Sequence, residues 1–297
     1  MNVTFHQLKI FTEVIRHKNI TRAAEAMHMT QPALSIQLKN FQKQFDIPLI
    51  EKVGKKFQLT DFGQSIAEIA NNILNGAEEL KYKTKAYEGL LTGKLRISSA
   101  STGKYLIPYF LSEFVHKYPG IDLTLDVSNR TTVIKQLQNS EIDFALVSVL
   151  PEKLDTYDEL LLENKLYLIG DTKKIIKSRP LIYREQGSAT RNAMSMYFSN
   201  STKRESLELT SNEAVKQAVV AGLGYSIIPL IGMRNELQNK DIYIIPSKGL
   251  PILTYWRLIW LKGKKLSPVA TAYLDFIRNE KEAIIKKHFS WYVDFKK

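Results

Sequence analysis

Thr30-Gln31-Pro32 interrupts a helical stretch, and what flanks that break constrains the fold more than any other feature of the chain. Before it runs a short alanine-rich segment, Thr21-Arg22-Ala23-Ala24-Glu25-Ala26-Met27; after it comes Gln31-Pro32-Ala33-Leu34-Ser35. Thr30 can cap a helix whose first turn accommodates Pro32, because no N–H partner is needed there. Leu34, Leu38, Phe41 and Phe45 give that helix a buried stripe, and Ser35, Gln37 and Lys39 stand on its other side. Ala23, Ala24 and Ala26 let two helices approach closely at a tight corner. A helix opening at such a corner with a small polar face can enter a major groove and reach base edges. A generic helical hairpin shares the periodicity, so the pattern by itself leaves both readings open.

Upstream, Phe5, Leu8, Phe11, Val14 and Ile15 recur at helical spacing and predict a preceding helix. Downstream, two short β-prone pieces flank Gly54-Lys55 and predict a basic hairpin, a wing beside the helix-turn-helix. Residues 61–90 contain no proline, and Ile66, Ile69, Ile73, Leu80 and Tyr87 lie on one seam of roughly heptad spacing, interrupted by Gly76 and Lys83. This predicts one helix on the order of 40 Å that pairs with a second copy, the alternative being a helix packed on its own domain.

From Lys94 the character changes. Strands at 95–98, 121–127, 144–147, 166–169, 181–183, 207–209 and 225–228 alternate with helices at 105–117, 133–138, 192–197 and 213–221. Such alternation implies parallel sheets covered by helices, and the length suffices for two small α/β lobes. A last helix is expected at 267–277. The tail after it is charged, but Phe289, Trp291, Tyr292 and Phe295 predict that it docks. The fold class is therefore α/β with an N-terminal winged helix-turn-helix. The DNA-binding domain is expected at 1–60, a linker and dimerisation helix at 61–92, and an effector-binding domain at 93–297. Its lobes would comprise 93–165 with 262–297, and 166–261.

The formal net charge is +12. Residues 1–60 hold nine Lys and Arg against four Asp and Glu, a net +5, and residues 61–92 hold three against five, a net −2. That leaves +9 for the remainder, so a basic balance that attracts polyanions is not confined to the DNA end. The absence of cysteine excludes disulfides and thiolate zinc sites and fits a reducing cytoplasm. The N-terminus lacks the basic-then-apolar pattern of a secretory signal. No apolar run approaches the ~18 residues of a spanning helix, so no membrane partner is expected. His6 and His17 are separated by about 16 Å of helical rise, too far for one ion. Residues 89–94 lack phosphate-loop spacing, and neither Gly-x-Ser-x-Gly nor His-Glu-x-x-His occurs. No enzyme activity, cofactor or metal is expected. A soluble binding protein or enzyme with an accessory helical domain would leave the first 60 residues unexplained.

Several runs carry a family resemblance. They are Phe5-His6-Gln7-Leu8-Lys9-Ile10-Phe11, Thr21-Arg22-Ala23-Ala24, Gln31-Pro32-Ala33-Leu34-Ser35, Pro48-Leu49 and Leu59-Thr60-Asp61-Phe62-Gly63. In this order and spacing they resemble the N-terminal signature of LysR-type transcriptional regulators. Tyr118-Pro119-Gly120, Ile142-Asp143-Phe144-Ala145-Leu146, Gly187-Ser188-Ala189-Thr190-Arg191 and 220–229 are similar to that family's effector domain. Phe45-Asp46-Ile47 departs from the usual Leu-Gly-Val type turn, and Ile50 and Lys52 stand where Phe and Arg are usual. The tail beyond Ile277 is longer than typical. The resemblance implies dimers through the long helix, assembled into homotetramers on an interrupted promoter palindrome, with RNA polymerase a further partner there. It also implies a C-terminal domain like a periplasmic binding protein, with the inducer between its lobes. Carried over by position, Gln31, Pro32, Ala33, Ser35, Gln37 and Lys39 should meet the groove, and Thr21, Arg22, Lys52, Lys55 and Lys56 the backbone. The segments 101–105 and 128–130 look similar to family members tied to carbon-fixation operons.

The sensing site follows from position, since ligands of α/β lobes sit beyond strand carboxyl ends and at helix N-termini. Ser99, Ser101 and Thr102 follow the first strand, Asn129 and Thr131 the second, and Ser148 the third. Thr190, Arg191 and Asn212 open helices of the other lobe. Each hydroxyl alone could be a helix cap. Together they suit a small anionic effector, a carboxylate or phosphate.

Overall fold

The computed structural model describes residues 2–53, 56–87, 91–176, 178–199 and 205–295. They form two compact units, Met1–Leu91 with Gln138–Glu141, and Thr92–Leu137 with Ile142–Lys297.

The first unit opens with three helices, α1 (Phe5–His17), α2 (Ile20–Ala26) and α3 (Gln31–Gln42). Thr4 and Gln7 form a reciprocal capping box at the start of α1, Asn19 caps α2, and Thr30 caps α3 ahead of Pro32. Each helix thus begins where a side-chain oxygen can take an otherwise unpaired backbone N–H. Ala23 and Ala24 are buried with Ile10, Val14 and Leu34, which is the close approach their small side chains permit. Phe11 and Phe41 meet with tilted rings, centroids 5.1 Å apart, in a second cluster with Leu8, Leu49, Ala67 and Ala70. Strands β1 (Ile50–Val53) and β2 (Lys56–Leu59) pair antiparallel as the expected hairpin. Its Gly54-Lys55 tip lies outside the described residues. Helix α4 (Asp61–Tyr87) follows. Thr60 Oγ1 accepts from Gly63 N at 2.9 Å and donates to the Pro48 carbonyl at 2.6 Å, fixing the turn between hairpin and helix. A Cβ on Gly63 would overlap the Leu49 carbonyl, so only glycine lets α4 begin there.

Helix α4 uses its apolar seam in two ways. Ile66 packs in the core of its own unit. Ile69 and Ile73, at the next seam positions, are 53% and 42% exposed.

The second unit contains β3 (Gly93–Ala100), α5 (Ile107–Lys117), β4 (Ile121–Ser128), α6 (Arg130–Gln138) and β5 (Phe144–Val147). Then come β6 (Thr156–Gly170), β7 (Leu181–Arg184), α7 (Ala189–Tyr197), β8 (Ser206–Leu209), α8 (Asn212–Val220) and β9 (Ser226–Pro229). It closes with α9 (Arg234–Asn239), β10 (Tyr243–Ile244), β11 (Ile252–Leu261) and α10 (Pro268–Val293). Strand β3 pairs parallel with β4 and β5, and β7 parallel with β8, as the alternation predicts. The parallel expectation fails for β6, and β11 is a strand that the alternation does not predict. These long strands run antiparallel to each other from Thr156–Leu261 to Leu166–Ile252, and β9 and β10 add antiparallel to β6. The chain leaves the first α/β half along β6, builds the second, and returns along β11. Strand β6 therefore crosses the expected boundary at 165/166, and β11 ends at the expected boundary at 261/262 although its second half already pairs with β5 of the first half.

The last helix also differs from expectation. It does not stop near Ile277 but runs to Val293, burying Ile284, Phe289 and Tyr292. Phe289 meets Tyr109 and Phe110 of α5, with ring centroids 5.2 and 6.1 Å away. Tyr292 OH accepts from Lys165 N at 2.9 Å, and Arg234 lies 5.0 Å over the Trp291 ring. The aromatic residues of the tail dock on the unit that carries them. Among the described residues no helix is long and apolar enough to cross a membrane.

Candidate nucleic-acid interface and effector cleft

The corner between α2 and α3 leaves one side of α3 open. Leu34 and Phe41 are buried, whereas Gln31, Pro32 and Lys39 are exposed and Ser35 is half-exposed. Helical spacing places these four on one face with Ile36. Gln31 Nε2 donates to Ser35 Oγ at 3.0 Å, so the polar pair at the start of the face is held in register. Ala33 and Gln37 are half-buried on its flank. Ile36 is not among the groove residues carried over by position, yet it joins them. It is 59% exposed, and its position two residues after Leu34, off the buried stripe, was the available signal. Thr21 and Arg22 are exposed in the first turn of α2. Lys52 and Lys56 lie on the paired strands β1 and β2; their side chains, and Lys55 entirely, fall outside the described residues. The open face therefore offers an amide, a hydroxyl, an ammonium and a methyl-bearing side chain, groups that suit base edges, phosphates and thymine methyls.

Between the two α/β halves of the second unit lies a cleft open to solvent. The structure brings Ser101, Thr102, Asn129, Ser148, Thr190 and Asn212 onto its walls. It places Ser99, Thr131 and Arg191 elsewhere. Ser99 is fully buried beneath the cleft, its Oγ donating to the Ala100 carbonyl at 3.0 Å. Thr131 faces Gly187, whose carbonyl it approaches at 3.5 Å. Arg191 is engaged by Glu208 at 2.6 Å and by the Arg184 carbonyl at 2.5 Å.

The guanidinium on the cleft wall belongs to Arg184, at the end of β7 and almost fully buried. It is locked by both oxygens of Glu185 at 2.8 Å each, and its Nη1 donates to Ser101 Oγ at 3.1 Å. Asn212 Nδ2 donates to the same oxygen at 2.9 Å. Ser101 thus spends both acceptor sites on the protein, and its hydroxyl proton is left to donate. Three N–H donations account for only part of the five that a guanidinium carries, leaving more to give. The combined donor set suits the oxygens of an anion, with the Arg184 charge balanced by Glu185. Arg130 supplies a second guanidinium at the rim, held by the carbonyls of Val149 at 3.2 Å and Leu150 at 2.9 Å. Ser188, ahead of α7, also lines the cleft, and its side chain makes no capping bond. Asn129 does cap, accepting from Thr132 N at 2.9 Å.

Across from β3, Tyr105 OH donates to Glu213 Oε2 at 3.0 Å, tying the 3-10 turn Ser101–Tyr105 to α8. Burial, and then the charge of Glu213, push the phenol's pKa up, so it stays protonated and keeps donating. Lys216 joins Glu213 at 3.1 Å to Glu236 at 2.6 Å. The two halves are therefore joined by the Tyr105–Glu213 bond and by the bonds of Ser101 to Arg184 and Asn212, as well as by β6 and β11, while Lys216 braces Glu213 within the second half.

The chain resembles known proteins over both units. The family model described as "Bacterial regulatory helix-turn-helix protein, lysR family" matches residues 5–64, and "LysR substrate binding domain" matches 88–282. The "HTH-type transcriptional activator CmpR" of Synechocystis sp. is 36% identical over 296 residues, covering 95% of this chain and 97% of that one. A "RuBisCO operon transcriptional regulator" of Allochromatium vinosum is 33% identical, covering 94% and 97%. The Synechocystis CcmR regulatory domain, solved in complex with 2-PG, superposes with a TM-score of 0.60 at 33% identity, over 64% of this chain and 98% of that one.

Proposed function

The chain belongs to the LysR family of DNA-binding transcriptional regulators, and we propose that it responds to a short phosphorylated or carboxylic acid held between the α/β halves of its C-terminal unit. The observation that carries this reading is Ser101, whose oxygen accepts from both Arg184 and Asn212 and whose proton is thereby left for an anion. The CcmR regulatory domain, 33% identical, is solved with 2-PG, which supports a small anion in this cleft. The groove-facing side of α3 is Gln31, Pro32, Ser35, Ile36 and Lys39, steadied on phosphates by Thr21, Arg22 and the hairpin lysines. Residues 1–60 act as the DNA module, 61–92 as linker and 93–297 as sensor. The exposed Ile69 and Ile73 support pairing of two copies along α4, and the pairs assemble into a homotetramer that works on promoter DNA in the cytoplasm.

The test combines ligand titration with a gel shift of the full chain on its own upstream intergenic DNA. Addition of 2-PG should raise the melting temperature and alter a salt-sensitive complex. No thermal shift with 2-PG or any of a panel of small phosphorylated and carboxylic acids would overturn the effector reading. No specific complex in any ligand condition would overturn the DNA reading.

A further inference from the structure

Buried polar atoms without a protein partner gather at the cleft. Among the described residues, Asn164 Oδ1, Asn212 Oδ1 and Trp256 Nε1 are such atoms, and all three residues line it. Asn212 belongs with Ser101 and Arg184. The other two belong to the through-running strands: Asn164 is on β6 and Trp256 on β11. Thr254 is paired with Asn164 in the register, and Trp256, two residues on, shares the face of Thr254. Asn164 Nδ2 donates to Thr254 Oγ1 at 2.8 Å, which turns its carbonyl oxygen away from Thr254. The register shifts directly after Trp256, a local irregularity of the kind that re-aims a side chain. The indole is also pinned. A Cβ on Gly103 would stand 3.3 Å from its Cζ3, so glycine makes the room in which the ring lies.

An indole N–H can only donate, and a carbonyl oxygen can only accept. Buried polar groups are paired in nearly all folded proteins, by protein, water or ligand, so a lone donor and a lone acceptor on the same face of the β6–β11 pair suit a group that does both. A hydroxyl does both. A carboxylate or phosphate oxygen would satisfy the indole but set a second acceptor against Asn164 Oδ1. We infer that Trp256 and Asn164 form a second subsite of the cleft, one that takes a hydroxyl of the effector while Ser101, Arg184 and Asn212 hold its anionic end. The effector is accordingly a small hydroxylated acid or phosphate. This rests on the reading of the cleft as the effector site and adds a demand that reading does not make.

The experiment is calorimetric titration of the full chain with two probes that differ by one group, 3-phosphoglycerate and its 2-deoxy analogue. The wild-type chain should bind the hydroxylated probe at least tenfold more tightly. Trp256→Phe keeps the ring and removes the N–H; Asn164→Ala removes the acceptor. Each should bring the ratio of the two affinities close to one, and the two variants together guard against misfolding of either. Equal affinity of the wild-type chain for both probes would overturn the subsite and leave the anion pole standing. Retention of the full ratio in both variants would likewise overturn it. Binding of neither probe would overturn the subsite and the anion pole together.

Discussion

Arg191 Nη1 donates to the backbone carbonyl of Arg184 at 2.5 Å, so one arginine props the strand end that presents the other to the cleft. The two guanidiniums have different tasks. Arg184 shares Ser101 with Asn212, whereas Arg191 is occupied by Glu208 and by a Tyr183 ring 5.6 Å away. Ser101→Ala should therefore weaken effector binding about tenfold, the worth of one charge-assisted hydrogen bond of about 1.5 kcal/mol. Arg191→Gln should change that affinity less than about threefold and cost about 0.5–1 kcal/mol of stability, as for a partly exposed ion pair. Titration calorimetry alongside urea unfolding separates the two. Equal losses of affinity would mean that the wrong arginine has been assigned to the ligand.

On the DNA side, Lys39 and Ile36 share the open face of α3 but should fail differently. Lys39→Ala removes one phosphate neutraliser, so affinity should fall on every sequence. The slope of log affinity against log salt should become shallower by about one. Ile36→Ala leaves the charge intact. It should relax preference at a single base pair by about 1 kcal/mol, the low end of what one mismatched pair costs, without altering the salt slope. Fluorescence anisotropy over a salt series, on the cognate site and its single-base variants, distinguishes the patterns. A change of slope with Ile36→Ala would show that the residue supports the fold of α3 rather than base contact.

Gly63 offers a test of how the DNA module is built. Its Cα lies against the Leu49 carbonyl in the first turn of α4, and a methyl group there has nowhere to go. Gly63→Ala should cost about 1–3 kcal/mol, the usual penalty of overpacking. Gly76→Ala, whose new Cβ meets nothing within 4 Å, should stabilise α4 by about 1 kcal/mol through helix propensity. Denaturant unfolding of the two variants checks the sign as well as the size. Similar behaviour of both would argue against the tight contact at Leu49.

The parts of this fold that could be read from sequence are those written in local signals. Thr30 ahead of Pro32, and the alanines that let α2 approach α1, declare the corner within a few residues. The spacing of Ile69 and Ile73 declares a seam on α4. What stayed hidden depends on distant partners. The first half of β6, Tyr157-Asp158-Glu159, is too polar to announce a strand, and only pairing with β11 makes it one. Arg184 sits in a short strand with no periodic signal, and its meeting with Ser101 joins residues far apart in the chain. The end of α10 was obscured by Arg278, Glu280 and Lys281. Two of these bond Glu159 in the structure, while Ile284 and Phe289 turn inward.

That last helix can be tested through a single atom. Tyr292 is fully buried, and its hydroxyl is the acceptor for the backbone N–H of Lys165 in the middle of β6. Burial pushes the phenol's pKa up, so it remains neutral across the working range and the bond survives any ordinary change of pH. Tyr292→Phe would keep the ring packed beside Lys165, whose Nζ lies 5.6 Å over it, but would strand the Lys165 N–H. Leaving a buried donor unpaired costs about 1–3 kcal/mol. The variant should therefore lose stability by that amount, and the Lys165 amide should exchange with solvent faster than in the parent. Truncation after residue 277 removes Phe289 and Tyr292 together and uncovers Phe110. It should lose several times more stability and aggregate. Should the truncated chain prove as stable as the parent by urea unfolding, the C-terminal turns of α10 would have no part in holding β6 in place.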